Sequence, residues 1–337
     1  MALQAQHGQT EHLDSEIPIR NVWLLLFYAS ELFQYVGEST GSSEKQPDEL
    51  PDLVAKILCH SVEKRLRRNL SQGYVDQHQI RSRVRGQIDM LRSERLGLFQ
   101  RGQVACRYQE LTIDTPRNRF VKGALFHLAG LAGARGLRER CRMLGVRLEQ
   151  RGVTGRVPGR SEVSVERFGR HDLDDRPMFA AAKLAFDLKI PTEHGARAFQ
   201  AKLERNEQWL RRLFEKAVLG FYGVVLSDKG WRVKGGAQHR WPVSWKSEGA
   251  APMLPVMITD VELDHPESKR RVIIDTKFTN IVRRNQYGED KFKSDYLYQM
   301  YAYLGTQENA ADPASLSSEG LLLHPSVGIA VDEAMMI

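Results

Sequence analysis

"MITDVELDHPESKRRVIIDTKF", Met257 to Phe278, holds two runs of β-branched and apolar residues that each carry an aspartate where a buried strand would avoid one. Alternation within the runs, and the polar stretch Asp264 to Arg270 with Pro266 and Ser268 between them, predict a β-hairpin. Pairing outward from that turn sets Asp260 opposite Ile274 or Asp275. Strand periodicity puts Lys277 on the face of Asp275, with Val272, Ile274 and Thr276 turned the other way. Like charges directly opposite destabilise a sheet unless something neutralises them, and a divalent cation with hard oxygen ligands does so economically. The plainer alternative is an ordinary cross-strand ion pair at a strand end.

The rest of the chain bounds the setting. With 337 residues, 42% hydrophobic and 27% charged, it has enough apolar content for two domains with cores of their own. A formal net charge of +7 favours an anionic partner, either nucleic acid or an anionic membrane surface. The most apolar segment, "VWLLLFYA" at Val22 to Ala29, is far too short to span a bilayer, so a cytoplasmic protein without a membrane role is expected. Cys59, Cys106 and Cys141 lack zinc-like spacing and read as reduced thiols. His7, His60 and His78 pair with nothing suited to a metal or a triad, and no P-loop occurs, so the chain itself should not hydrolyse nucleotide.

Read in order, Met1 to Glu16 is polar and expected to be disordered, and "IPIRNVWLLLFYASELFQYV" leads into a helix. "GESTGSSEKQPDELPD" reads as a flexible loop, and a second helix over Leu53 to Leu70 ends in the basic run "EKRLRRNL". Tyr74 to Thr112 is strand-like and basic, with Arg81, Arg83 and Arg85 continuing the charge of Lys64, Arg65, Arg67 and Arg68. Those cations could form a solvated face, a DNA contact or a surface for an acidic partner. Asp114 or Thr115 can cap the next helix, with Pro116 in its first turn, and another helix follows over Pro177 to Asp187. The breakers in "KIPTEHGARAF" mark a boundary, giving an α+β domain over residues 1–195 and a second domain over 196–337. The second half opens with the amphipathic helix "NEQWLRRLFEKAVLGFYG". A strand around Trp231 to Trp245, the hairpin, a helix over Asp295 to Leu304 and the strand "GLLLHP" complete the order α, β, β, β, α, β, an α/β core.

Asp260, then Asp275-Thr276-Lys277, then Gln299-x-x-x-Tyr303 resemble the PD-(D/E)xK nuclease pattern with the QxxxY extension of RecB-like nucleases. More closely, "IPIRNVWLLLFYA", "VRGQID", "TPRNRFVKGAL", "ERNEQWLRRLFEKAV", "TDVEL", "IDTKF" and "YQMYAYL", in that order, resemble the McrC family, nuclease subunits of modification-dependent McrBC restriction systems. Each segment alone is weak, and the ordered set spans almost the whole chain.

The resemblance implies a Mg²⁺-dependent endonuclease acting on double-stranded DNA within a GTP-driven restriction complex of the 5-methylcytosine type. Asp260, Asp275 and the Thr276 backbone carbonyl would hold Mg²⁺, and Lys277 would position the attacking water or stabilise the transition state. Gln299 and Tyr303, at i and i+4 of one helix, would support that site, although plain packing for Tyr303 and solvent for Gln299 fit as well. Such nucleases often take a further carboxylate from the first core helix, here Glu215, whose helical phase lies roughly opposite the apolar stripe and fits a solvated residue equally. The N-terminal half would dock into a hexameric AAA+ GTPase of the McrB type and stimulate it, with Asn118 and Arg119 as candidate contacts, or simply as part of a helix's first turn. Relatives of this kind continue past the "LLLHP" strand with further strand and helix, but the αβββαβ core is complete without them. The rival reading is a GTPase-activating adaptor whose nuclease-like fold is only a scaffold.

Overall fold

The computed structural model describes residues 19–36, 50–164, 166, 168–193, 207–279, 281–284, 287–325 and 331–336. The polar leader, most of the loop read over 37–52 and most of the expected boundary stretch lie outside them. Two compact units emerge, one of Asp48–Lys189 and the other of Met1–Pro47 with Ile190–Ile337. The boundary at 189/190 falls close to the expected 195/196, but the first 47 residues go with the second half of the chain. Their helices α1 (Ile19–Tyr28) and α2 (Glu31–Val36) bring Tyr28 against Phe221, ring centroids 5.4 Å apart.

The unit of residues 48–189 contains α3 (Leu50–Arg68), β1 (Gly73–Arg81), β2 (Gln87–Ile88), α4 (Met90–Arg95), β3 (Val104–Thr112), α5 (Pro116–Leu131), α6 (Arg135–Gln150), α7 (Arg160–Ser164) and most of α8 (Arg176–Glu193). Its antiparallel sheet runs β1-β3-β2, and Leu58, Leu125, Leu128, Leu144, Phe179 and Leu184 fill the helical core. Thr115 caps α5, its hydroxyl accepting the Asn118 amide at 3.2 Å, with Pro116 in the first turn. Sequence reading passed over α6. Its buried Cys141, Leu144 and Leu148 keep helical spacing, but Gly136, Gly145 and a run of arginines mask it.

In this unit Arg65 and Arg117 turn inward onto Asp175 at 2.7 and 3.2 Å, and Arg85 stacks 4.1 Å from the Tyr108 ring. Part of the basic run therefore holds the fold rather than facing a partner. Asn118 is buried, its Nδ2 donating to the carbonyls of Ser71 at 2.9 Å and Ile113 at 2.8 Å. Arg119 grips Asp114 with two bonds of 2.7 and 2.8 Å. Asn118 is thus closed off from any surface, while Arg119, tied to Asp114, stays partly exposed.

The other unit continues with α9 (Glu207–Val225), β4 (Arg232–His239), β5 (Met257–His265), β6 (Arg270–Thr276), β7 (Val282–Arg284), β8 (Asp290–Phe292), α10 (Ser294–Thr306), α11 (Pro313–Leu316) and β9 (Glu319–Leu323). A mixed four-stranded sheet has the order β4-β5-β6-β9, with β9 parallel to β6, while β7 and β8 pair as a separate ribbon. Val218 of α9 packs with Val261, Leu263 and Ile274, and Met300 and Tyr303 of α10 pack with Met257 and Ile273. The sheet thus buries one face under each helix, as expected of alternating strands. Among the described residues no helix is long and apolar enough to cross a membrane.

Candidate functional site

The β5–β6 hairpin positions the acids. Its register pairs Val261 with Ile274 and, one residue further, would set Asp260 against Asp275, but the ladder ends before that pair. On its other side β5 pairs with β4 at Val261–Gly235 and Thr259–Ala237, skipping Asp260 and Gly236. Gly236 has φ of +63°, a left-handed conformation that a glycine adopts without strain. Strict alternation would separate Thr259 and Glu262 onto opposite faces, yet the Thr259 hydroxyl donates to Glu262 Oε1 at 2.8 Å. The strand therefore breaks its alternation at Asp260, as a bulge does.

The break redirects the carboxylate. Asp260 Oδ2 accepts the Thr276 amide at 2.6 Å and the Thr276 hydroxyl at 2.7 Å. Thr276, expected on the face away from Asp275, thus meets Asp260 through its donors, and the two aspartates stay neighbours. They remain close enough for Asp260 to push the Asp275 carboxyl up. Burial pushes it up most, and Lys277 offsets only part of the rise.

Lys277 is the hub. Its ammonium lies 2.7 Å from Asp275 Oδ2, donates to Gln299 Oε1 at 2.9 Å and sits 4.9 Å from the centre of the Tyr296 ring. Its backbone amide donates to Leu323 of β9 at 2.9 Å, so the parallel strand fixes the residue that carries the charge. Gln299 Nε2 donates to the Tyr303 hydroxyl at 2.7 Å, and that hydroxyl donates to the Ile258 carbonyl at 2.8 Å. Burial, ahead of the two aspartates, holds the Tyr303 hydroxyl above its ordinary range, so it remains a donor. Gln299 and Tyr303 thus link α10 to both hairpin strands instead of serving only solvent and packing. Tyr296 was not foreseen, although 296, 299 and 303 follow one helical face at i, i+3 and i+7.

Glu215 departs from its solvated alternative. It is half-buried, and burial first, then Asp260, raise its carboxyl. The helical phase misled because α9 is covered on more than one side. Val218 packs into the sheet core while Gly220, about 200° round the helix, lies against the Tyr28 carbonyl, so flanking positions lose solvent too. Among the described residues no three His, Cys, Asp or Glu are gathered as a metal cage. The donor set nonetheless fits a hard cation. Asp260 stands within electrostatic reach of both Glu215 and Asp275, and Lys277 is the ammonium paired to Asp275. Asp275 Oδ2, buried, has that ammonium at short range but without hydrogen-bonding geometry, which leaves an under-satisfied carboxylate oxygen.

An α/β unit with a carboxylate–lysine centre at its strand ends is the class that fold and site define. The sequence model for the McrBC 5-methylcytosine restriction system component matches residues 8–156. Over 325 residues the chain is 25% identical to the type IV methyl-directed restriction enzyme EcoKMcrBC of Escherichia coli K12, covering 94% of this chain and 88% of that protein. The likeness to McrBC restriction-system components that the ordered motifs carried is thus shown, and it extends through the acidic hairpin. Two solved assemblies from Thermococcus gammatolerans also align. One is a half-complex of McrB AAA+ hexamers with bound McrC, at TM-score 0.41 and 14% identity over 92% of this chain and 72% of that one. The other is the McrBC complex, at TM-score 0.34 and 19% identity over 49% and 50%. Likenesses this loose carry no structural detail to this chain.

Proposed function

We propose that the chain is the DNA-cutting, McrC-type subunit of a GTP-driven restriction complex, with a PD-(D/E)xK centre at Asp260, Asp275 and Lys277. The observation that carries it is the joining of Lys277 to Asp275 on one side and to Gln299 and Tyr303 on the other, at the strand end where Asp260 also stands. Asp260 and Asp275, with Glu215 behind Asp260, would hold Mg²⁺, which when bound acidifies water and neutralises charge on a phosphate. Thr276 orients Asp260 through two donors, and Gln299 holds the ammonium of Lys277 where it can face a scissile phosphate. The Tyr303 hydroxyl orients the Gln299 amide in turn.

In this reading an McrB-like AAA+ GTPase hexamer is the partner, double-stranded DNA the substrate, and modification reading of the 5-methylcytosine type belongs to the partner. The curated relative and the family model support that assignment. GTPase stimulation falls to residues 48–189, with the exposed cations of that unit as contacts in place of Asn118. A thermal-shift titration separates nuclease from adaptor. A nuclease gains stability with Mg²⁺ or Mn²⁺, and Asp260→Asn removes most of that gain. Equal shifts in the wild type and Asp260→Asn would remove the proposed metal site and favour the adaptor.

A further inference from the structure

The segment between β4 and β5, "RWPVSWKSEGAAPMLPV" from Arg240 to Val256, has no part in the site above. It exposes apolar surface on a scale that a solvated loop does not need. Trp245 is 80% exposed and Met253 81%, with Val243, Leu254 and Val256 also open to solvent. Exposed apolar side chains gathered in one segment mark a surface that meets something. The loop is also braced: the Trp241 indole N–H donates to the Pro255 carbonyl at 2.8 Å, tying its two arms together, while Pro242 and Pro252 stiffen what lies between. Trp245 therefore projects from a closed base.

Position and charge choose the occupant. β5 begins at Met257 and reaches Asp260 within three residues, about 10 Å at the rise of an extended strand. The loop thus leaves the sheet at the end that carries Asp260, Asp275 and Lys277. The β7–β8 ribbon follows Lys277 from the same end, with Tyr287 79% exposed and Arg283 and Lys291 open to solvent. Both projections are cationic: Arg240 and Lys246 against Glu248 in the loop, and Arg283, Arg284, Lys291 and Lys293 against Glu289 and Asp290 around the ribbon. A ligand seated at the acids lies between aromatic rings on positively charged arms. Nucleic acid has both matching parts, phosphates for the cations and base steps between which an indole can wedge.

We propose that the β4–β5 loop is a DNA-contacting wedge in which Trp245 stacks on bases beside the phosphate held at the acidic strand ends, while the β7–β8 ribbon grips the backbone. The proposal rests on the nuclease reading and adds to it the surface that seats the substrate. A protein surface, including a second copy of this chain, is the competing occupant.

The test uses the full chain and a fluorescein-labelled duplex, with Ca²⁺ replacing Mg²⁺ so that binding is read without cleavage. Fluorescence anisotropy should show Trp245→Ala binding about five-fold or more weakly, with most of the loss recovered by Trp245→Phe, because any aromatic ring offers a stacking face. The slope of log affinity against log salt should be unchanged in Trp245→Ala, but Lys291→Ala should lower it by about 0.9, one phosphate contact. Unchanged duplex binding by Trp245→Ala, with the wild type still cutting DNA alongside an McrB-like partner, GTP and Mg²⁺, overturns the wedge alone. If that variant instead converts a sedimenting dimer to monomer with duplex binding intact, the surface joins two copies. No duplex binding by the wild type overturns the wedge, and no cleavage by the wild type with an McrB-like partner, GTP and Mg²⁺ overturns the nuclease reading as well.

Discussion

Replacing Lys277 with alanine removes the ammonium paired with Asp275, whose side chain is 2% exposed. The carboxylate would stay buried, with Asp260 still pushing its pKa up. Removing one partner of a buried pair costs about 3–5 kcal/mol, chiefly because the other charge is left uncompensated. Proton uptake limits that loss. At pH 7 an unfolded Asp with pKa about 3.9 can be neutralised for roughly 4 kcal/mol, at 1.36 kcal/mol per unit. The metal-free variant should therefore lose up to about 4 kcal/mol, roughly 8–16 °C in Tm for a unit of this size.

The pH dependence follows from the same group. Asp275 is raised in the fold, so its contribution is most favourable below the unfolded pKa and declines as pH rises through the folded value. Metal-free melting between pH 4 and 8 should show a steeper decline in Lys277→Ala than in the wild type. Because a cation can replace the lost ammonium, Mg²⁺ should stabilise the variant more than the wild type. Differential scanning calorimetry with EDTA and with saturating Mg²⁺ measures both. Equal metal-free Tm values and equal Mg²⁺ gains would refute the reasoning.

Tyr303→Phe deletes a hydroxyl bonded to Gln299 and Ile258, so DNA cleavage should fall about ten-fold through misplacement of Lys277, less than the 100-fold expected when a direct transition-state contact is removed. Single-turnover cleavage with Tm recorded on the same sample separates that loss from unfolding. At Gly220 an added Cβ would collide with the Tyr28 carbonyl oxygen, so Gly220→Ala should unseat α1, and a fragment starting at 196 should melt lower than one that also carries residues 1–47; limited proteolysis and circular dichroism read both. Glu63 is lowered first by its hydrogen bonds to Arg140, so its contribution, about 1 kcal/mol or less, is present above pH 4–5 and lost as pH falls through the folded value. Arg140→Ala should flatten that acid limb in denaturant titrations.

The hairpin, its register and the helix carrying Gln299 and Tyr303 were legible because each rests on local periodicity and turn chemistry. What periodicity could not supply was the break at Asp260. It depends on Gly236 of a neighbouring strand, and no pattern within β5 announces it. The docking of α1 onto α9 is hidden for a related reason: an apolar stripe says that a helix is covered, not by which distant segment. Glu215 shows the cost, since the phase argument assumed a single covered face. Asn118 fails differently, because its position after a helix cap was readable but the carbonyls of Ser71 and Ile113 that consume its amide were not.

Asp260→Asn tests the central claim most directly, because it removes one negative charge while keeping the shape that meets the Thr276 donors. The measurement is plasmid cleavage with an McrB-like partner, GTP and Mg²⁺, run beside GTP turnover on the same preparation. The account predicts that cleavage falls by on the order of 100-fold or more while GTP turnover stays at the wild-type rate. Cleavage at the wild-type rate by Asp260→Asn would contradict it.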